Sequence, residues 1–144
     1  PSGSPIDSAD ALKEVLKSAA TFQTVKIAGD ISMTAAEFQA NYSETKSTNI
    51  DLNEKTLSLT GNSLQIVDDN KVTLTNGSVN GSLSVSGAGR LSLDQVEVTG
   101  LSGNYGVWIG GEAAEINIKD SVIVGDVYGI TTNAGTVCTL PFLA

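Results

Sequence analysis

Residues 91–130 read LSLDQVEVTGLSGNYGVWIGGEAAEINIKDSVIVGDVYGI. Tyr105-Gly106-Val107 returns in this stretch as Tyr128-Gly129-Ile130. Leu91-Ser92-Leu93 returns at a nearly equal interval as Ile116-Asn117-Ile118. Asp94-Gln-Val-Glu-Val-Thr-Gly100 resembles Asp120-Ser-Val-Ile-Val-Gly125. Upstream, Val72-Thr-Leu-Thr-Asn-Gly-Ser-Val79 has the same shape at a somewhat shorter interval before Leu91. Leu83-Ser84-Val85 then falls where Val107-Trp108-Ile109 falls in the next unit. Three strand positions therefore recur in one order. A meander of hairpins has no reason to repeat three different strands in fixed order, whereas a chain winding around an axis does so once per turn.

The rest of the chain fits around that repeat. From Ile50 onward it consists of short alternating segments, among them Leu57-Ser58-Leu59, Leu64-Gln65-Ile66, Val96-Glu97-Val98 and Val122-Ile123-Val124, separated by Gly, Asn, Asp and Ser. Alternation turns every second residue inward. Asn76, Asp94 and Asp120 are expected to supply a left-handed residue at one corner, and Gly81, Gly100 and Gly125 mark the next. Ahead of the repeat, Leu12, Val15, Leu16 and Ala19 make one apolar stripe on a helix over residues 8–20, capped by Asp7 or Ser8. Val25, Ile27 and Ile31 suggest a strand interrupted at Gly29-Asp30, and Thr34 with Glu37 has the spacing of a capping box before a second helix near 35–41.

This order, Tyr-Gly-Ile/Val followed by Ile-x-Ile-x-Asp-Ser-x-Ile-x-Gly, resembles the right-handed parallel β-helix repeats of the pectate-lyase/pectin-lyase-like superfamily. Ile50-Asp-Leu-Asn-Glu-Lys-Thr-Leu57 is similar to the entry segment of secreted bacterial β-helix proteins. The expected fold is all-β: a right-handed parallel β-helix, a solenoid of about four short coils, with an N-terminal amphipathic helix cap. Residues 1–49 form the arm and helical cap region, 50–135 the coils and 136–144 a C-terminal tail or plug, all in one domain. The resemblance implies an extracellular or cell-surface location. The opening residues, PSGSPIDS, carry neither the charged nor the apolar region of a signal peptide, which suits a cytosolic or a mature secreted chain.

Composition bounds the chemistry. The 144 residues include no histidine, one cysteine, one arginine (Arg90) and a net charge of -8. Serine or cysteine triads that depend on imidazole, histidine metal sites, intrachain disulfides and cysteine zinc cages are excluded. An acidic chain is a poor match for nucleic acid, and no run is long and apolar enough for a membrane span.

The resemblance alone would allow a polysaccharide lyase working through Arg90 with calcium, or a hydrolase working through aspartates. Asp68-Asp69 is the one adjacent aspartate pair, in a short connection that reads as a solvated turn. Glu112, Glu115, Asp120 and Asp126 are the acids on which calcium would draw, without any calcium-loop motif. No cofactor is expected.

Trp108 lies between inward Val107 and Ile109, so it should face outward, and Tyr105 and Tyr128 should sit one above the other. These three are the glycan-contact candidates. The tail Thr136-Val-Cys-Thr-Leu-Pro-Phe-Leu-Ala144 shows no polar capping pattern. Cys138, Leu140, Phe142 and Leu143 are therefore candidates for self-association into a homo-oligomer. The functional expectation is a non-catalytic module with a structural, adhesive or polysaccharide-contacting role; the alternative is a pectate-lyase-like enzyme or a fragment of one.

Overall fold

The computed structural model describes residues 5–18, 24–42, 47–68, 70–111 and 113–132. Helix α1 (Ala9–Ser18) begins where the Ser8 hydroxyl accepts the Ala11 amide at 3.2 Å. Its Leu12 and Leu16 are fully buried, as the apolar stripe requires. Residues 19 and 20, the end of the expected helix, lie outside the described residues.

Strands β1 (Thr24–Lys26) and β2 (Ile31–Thr34) then lead directly into helix α2 (Ala35–Tyr42). Thr34 is the N-cap, its hydroxyl accepting the Glu37 amide at 3.0 Å. Lys13 joins the two helices through Glu37 at 3.3 Å, and also meets Asp10 on its own helix at 3.2 Å. Hydrogen bonds to Asp10 and then Glu37 hold the Lys13 ammonium above the ordinary lysine pKa.

Ten further strands follow: β3 (Ser47–Asp51), β4 (Thr56–Thr60), β5 (Leu64–Ile66), β6 (Lys71–Asn80), β7 (Leu83–Val85), β8 (Arg90–Thr99), β9 (Tyr105–Ile109), β10 (Glu115–Lys119), β11 (Val122–Val124) and β12 (Tyr128–Thr132). Every pairing among the described strands is parallel. The architecture is an all-β parallel solenoid of about four coils with a small helical cap. The first full coil is β3-β4-β5; β6-β7, β8-β9 and β10-β11-β12 complete the series. Ahead of them, β1 and β2 already pair with β3 and β4, so among the described residues the ladder starts at Thr24. In that partial coil α2 packs beside β5, where the other coils carry a third strand.

Register lines up the inward residues in columns. Val25, Ile50, Leu74, Leu93 and Ile118 form one. Ile31, Leu57, Val79, Val98 and Ile123 form another. Leu64, Leu83, Val107 and Ile130 form a third. These columns are the core, and stacking like on like buries each coil against the next. A fourth column, Thr48, Val72, Leu91 and Ile116, opens on a threonine whose buried hydroxyl has no hydrogen-bond partner among the described residues.

Two expectations are refined. The residues on either side of the Asn76 corner belong to one continuous strand, β6, and β8 is continuous in the same way. A single left-handed residue bends each without ending its ladder. Those residues are Asn76 (φ 62°), Gln95 (φ 58°) and Asp120 (φ 48°), so Gln95 takes the place expected of Asp94. Asp94 pairs instead with Lys119. Matching aspartate to aspartate misplaces the corner by one residue, because the inward pairs Leu93–Ile118 and Val98–Ile123, and not the acidic residues, set the register. The bend interrupts pairing at the Val96 amide, which donates to the Ser121 hydroxyl at 3.0 Å. In β11 the inward residue is Ile123, opposite Val98, and Val122 and Val124 face solvent.

The glycine corner falls where the repeat puts it. A Cβ on Gly100 would run into the Tyr105 carbonyl, and one on Gly125 into the Tyr128 carbonyl. The next strand crosses too closely there for any side chain.

Candidate functional site

The outer face of the sheet made by β5, β7, β9 and β12 carries one ladder in register: Gln65, Ser84, Trp108 and Thr131. Val107 and Ile109 on either side of Trp108 are buried in the core, so the indole takes the outer face as alternation demands. The ring folds along its own strand over Gly110, where a Cβ would collide with the six-membered ring. Glycine at this position lets the indole lie against the backbone while remaining partly exposed. Ser84, between Gln65 and Trp108, is buried although it faces outward, because its two larger ladder neighbours flank it.

Tyr105 and Tyr128 are register partners, as expected, but their surroundings differ. The Tyr105 hydroxyl bonds the Ser63 hydroxyl at 2.7 Å, far earlier in the chain and two coils along the axis. Its carbonyl accepts the fully buried Ser82 hydroxyl at 2.7 Å, and Ser82 in turn accepts the Leu101 amide at 3.0 Å. Tyr105 is thus tied into the corner. Tyr128 is 61% exposed.

A cleft of about 410 Å³ opens at this corner between α2 and the first full coil. It is lined by Ala36, Gln39, Asn62, Ser63, Gln65 and Asn104. Gln39 Oε1 accepts the Gln65 amide at 3.2 Å, which pins α2 to the sheet edge. Asn104 Oδ1 accepts the Tyr105 amide at 3.0 Å. Gln65 belongs both to this cleft and to the Trp108 ladder, two strands or about 10 Å from the indole. Residue-by-residue reading of the sequence does not single out this cleft. Its members come from a helix, two corners and a strand. The available signal is that Gln65 lies between inward Leu64 and Ile66 and therefore faces out with Trp108.

Of the acids on which calcium would draw, the described ones, Glu115, Asp120 and Asp126, have separate local partners or places. Glu115 meets Arg90 at 3.4 Å, both well exposed, so the guanidinium is ion-paired at the surface where β8 and β10 begin. Asp120 occupies the left-handed corner. Asp126 Oδ2 accepts the Gly103 amide at 2.6 Å and fastens the neighbouring loop. Among the described residues no three acidic or sulfur side chains converge as a metal site. Glu112 lies outside the described residues, as do Asp69, Cys138, Leu140, Phe142 and Leu143. Asp68 sits in a turn with φ 52°. A second cleft, also about 410 Å³, follows the other corner and includes Glu54, Gln95, Glu97 and Asp120. No described helix is long and apolar enough to cross a membrane.

No protein-family model, curated protein or solved structure matches the chain.

Proposed function

We propose that this chain is a non-catalytic β-helix module of the pectin-lyase-like kind, secreted or held at a cell surface, that contacts glycans through the outer face carrying Trp108. The observation that carries the reading is the indole itself. It lies against Gly110 on an otherwise polar ladder, beside a cleft of amide and hydroxyl groups. A sugar ring has an apolar face of C–H groups and a rim of hydroxyls. The first stacks on an aromatic surface and the second needs paired donors and acceptors. Trp108 offers the first, and the cleft that shares Gln65 with its ladder offers the second. Arg90, the residue a lyase reading would use as base, is engaged with Glu115.

The same reading includes association between copies through the C-terminal end. Support comes from the last described coil, where Val122, Val124, Val127 and Tyr128 are exposed and Ile116, Ile118, Ile123 and Ile130 only partly buried.

Binding to an array of oligosaccharides tests the glycan contact. Trp108→Ala is expected to abolish retention, with circular dichroism unchanged because the side chain lies outside the core columns. Retention equal to wild type would reduce Trp108 to a packing role and end this reading.

A further inference from the structure

Among the described residues, the cleft between α2 and the first full coil is lined by no charged side chain. Gln39, Asn62, Ser63, Gln65 and Asn104 provide carboxamides and a hydroxyl, and Ala36 adds a methyl group. Each carboxamide carries one acceptor oxygen and two N–H donors. Backbone amides donate to Gln39 Oε1 and Asn104 Oδ1, which fixes those atoms as oxygens and turns the NH₂ ends to the opposite side of each group. The Ser63 hydroxyl is held by Tyr105 at 2.7 Å, so one edge of the cleft is set before any ligand arrives.

A uronate or sulfate group needs a guanidinium, an ammonium or a bridging cation to offset its desolvation. None of the described lining side chains offers one. Arg90 and its register partner Lys71 stand at the start of the other sheet. The second cleft carries Glu54, Glu97 and Asp120, and the chain as a whole has a net charge of -8. Acidic polymers are repelled overall and meet no countercharge among the described residues of this cleft. Neutral sugar hydroxyls, each a donor and an acceptor, match carboxamides group for group.

We propose that this cleft binds neutral, uncharged sugar units of a glycan whose neighbouring unit stacks on Trp108. The inference rests on the glycan-contact reading and adds the ligand class and a second subsite.

The test uses immobilised neutral hexose and pentose oligomers beside oligogalacturonate with and without calcium. Wild type is compared with Asn62→Ala and Asn62→Phe. Asn62 is exposed on a corner, so neither change touches the core, and circular dichroism verifies the fold. Wild type is expected on at least one neutral oligomer, with retention unaffected by added salt. Asn62→Ala should weaken it by about fivefold, the loss of one net hydrogen bond. Asn62→Phe, which fills the cleft, should weaken it further. Retention confined to oligogalacturonate would overturn the inference and leave the glycan reading standing. So would neutral retention that both Asn62 variants preserve. Retention on no glycan would overturn the two together.

Discussion

At the N-terminal end, Val25 and Ile31 head their columns at 3% and 2% exposure, packed in one core with Leu12, Leu16 and Phe38 of the two helices. At the other end of the described residues, Ile118 and Ile123 are the last members of the same two columns and are only partly buried. Outward neighbours there include Val122 at 56% exposure. The strand pattern is the same at both ends, so alternation alone does not make a core. A solenoid coil buries one side on its predecessor and needs something for the other. At the first end the two helices supply it, through Leu12 and Leu16 of α1 and Phe38 of α2.

The largest effect expected from this contrast is Phe38→Ala. Deleting a fully buried aromatic should cost about 3–5 kcal/mol in denaturant unfolding, against about 1–2 kcal/mol for Ile123→Ala. Equal costs would mean that the last coil is covered in solution as thoroughly as the first. Sedimentation at several concentrations addresses the cover directly. Association is expected to rise with concentration and to be lost in a Val122→Lys, Val127→Lys double variant. A wild type that stays monomeric throughout would end the proposal of contact between copies. Next comes Thr48→Val, which replaces a buried, unpartnered hydroxyl with a methyl of similar size at the head of an apolar column. It should raise stability by about 1–2 kcal/mol in the same unfolding experiment. Thr34→Ala removes the N-cap of α2 and should cost about 1 kcal/mol. A much larger loss would show that the helix cap and the first columns unfold together.

The repeat is legible in the sequence because its signal is redundant. Leu91 with Ile116, Tyr105 with Tyr128 and Leu83 with Val107 are register partners in the structure as in the alignment of the sequence with itself. Helix α2 is legible from Thr34 and Glu37, since a cap is a local bond. Thr24–Thr34 is harder. Its two strands are short and run into a helix, so the three-strand rhythm never completes there, although Val25 and Ile31 stand in register with Ile50 and Leu57. The corner at Gln95 escapes a reading that assigns left-handed geometry by residue preference. Here the bend is imposed by the ladders on either side, and glutamine accepts it. The Trp108 orientation follows from alternation. The cleft does not, because Gln39, Asn62 and Asn104 come together only when α2 takes the place of a strand.

The bends in β6 and β8 also fix what a coil costs in chain length. Leu74 and Val79 pair with Leu93 and Val98, at one and the same interval on both sides of the bend. Leu83 pairs with Val107 at a longer interval, after the loop at 101–104 has been passed. The ladders hold their register while the corners absorb the difference. The molecule is thus a ruler with interchangeable graduations. Duplicating residues 72–90 within the stack should lengthen it by one strand spacing, about 4.8 Å, while loops grafted at 101–104 would change its outline and leave its length alone.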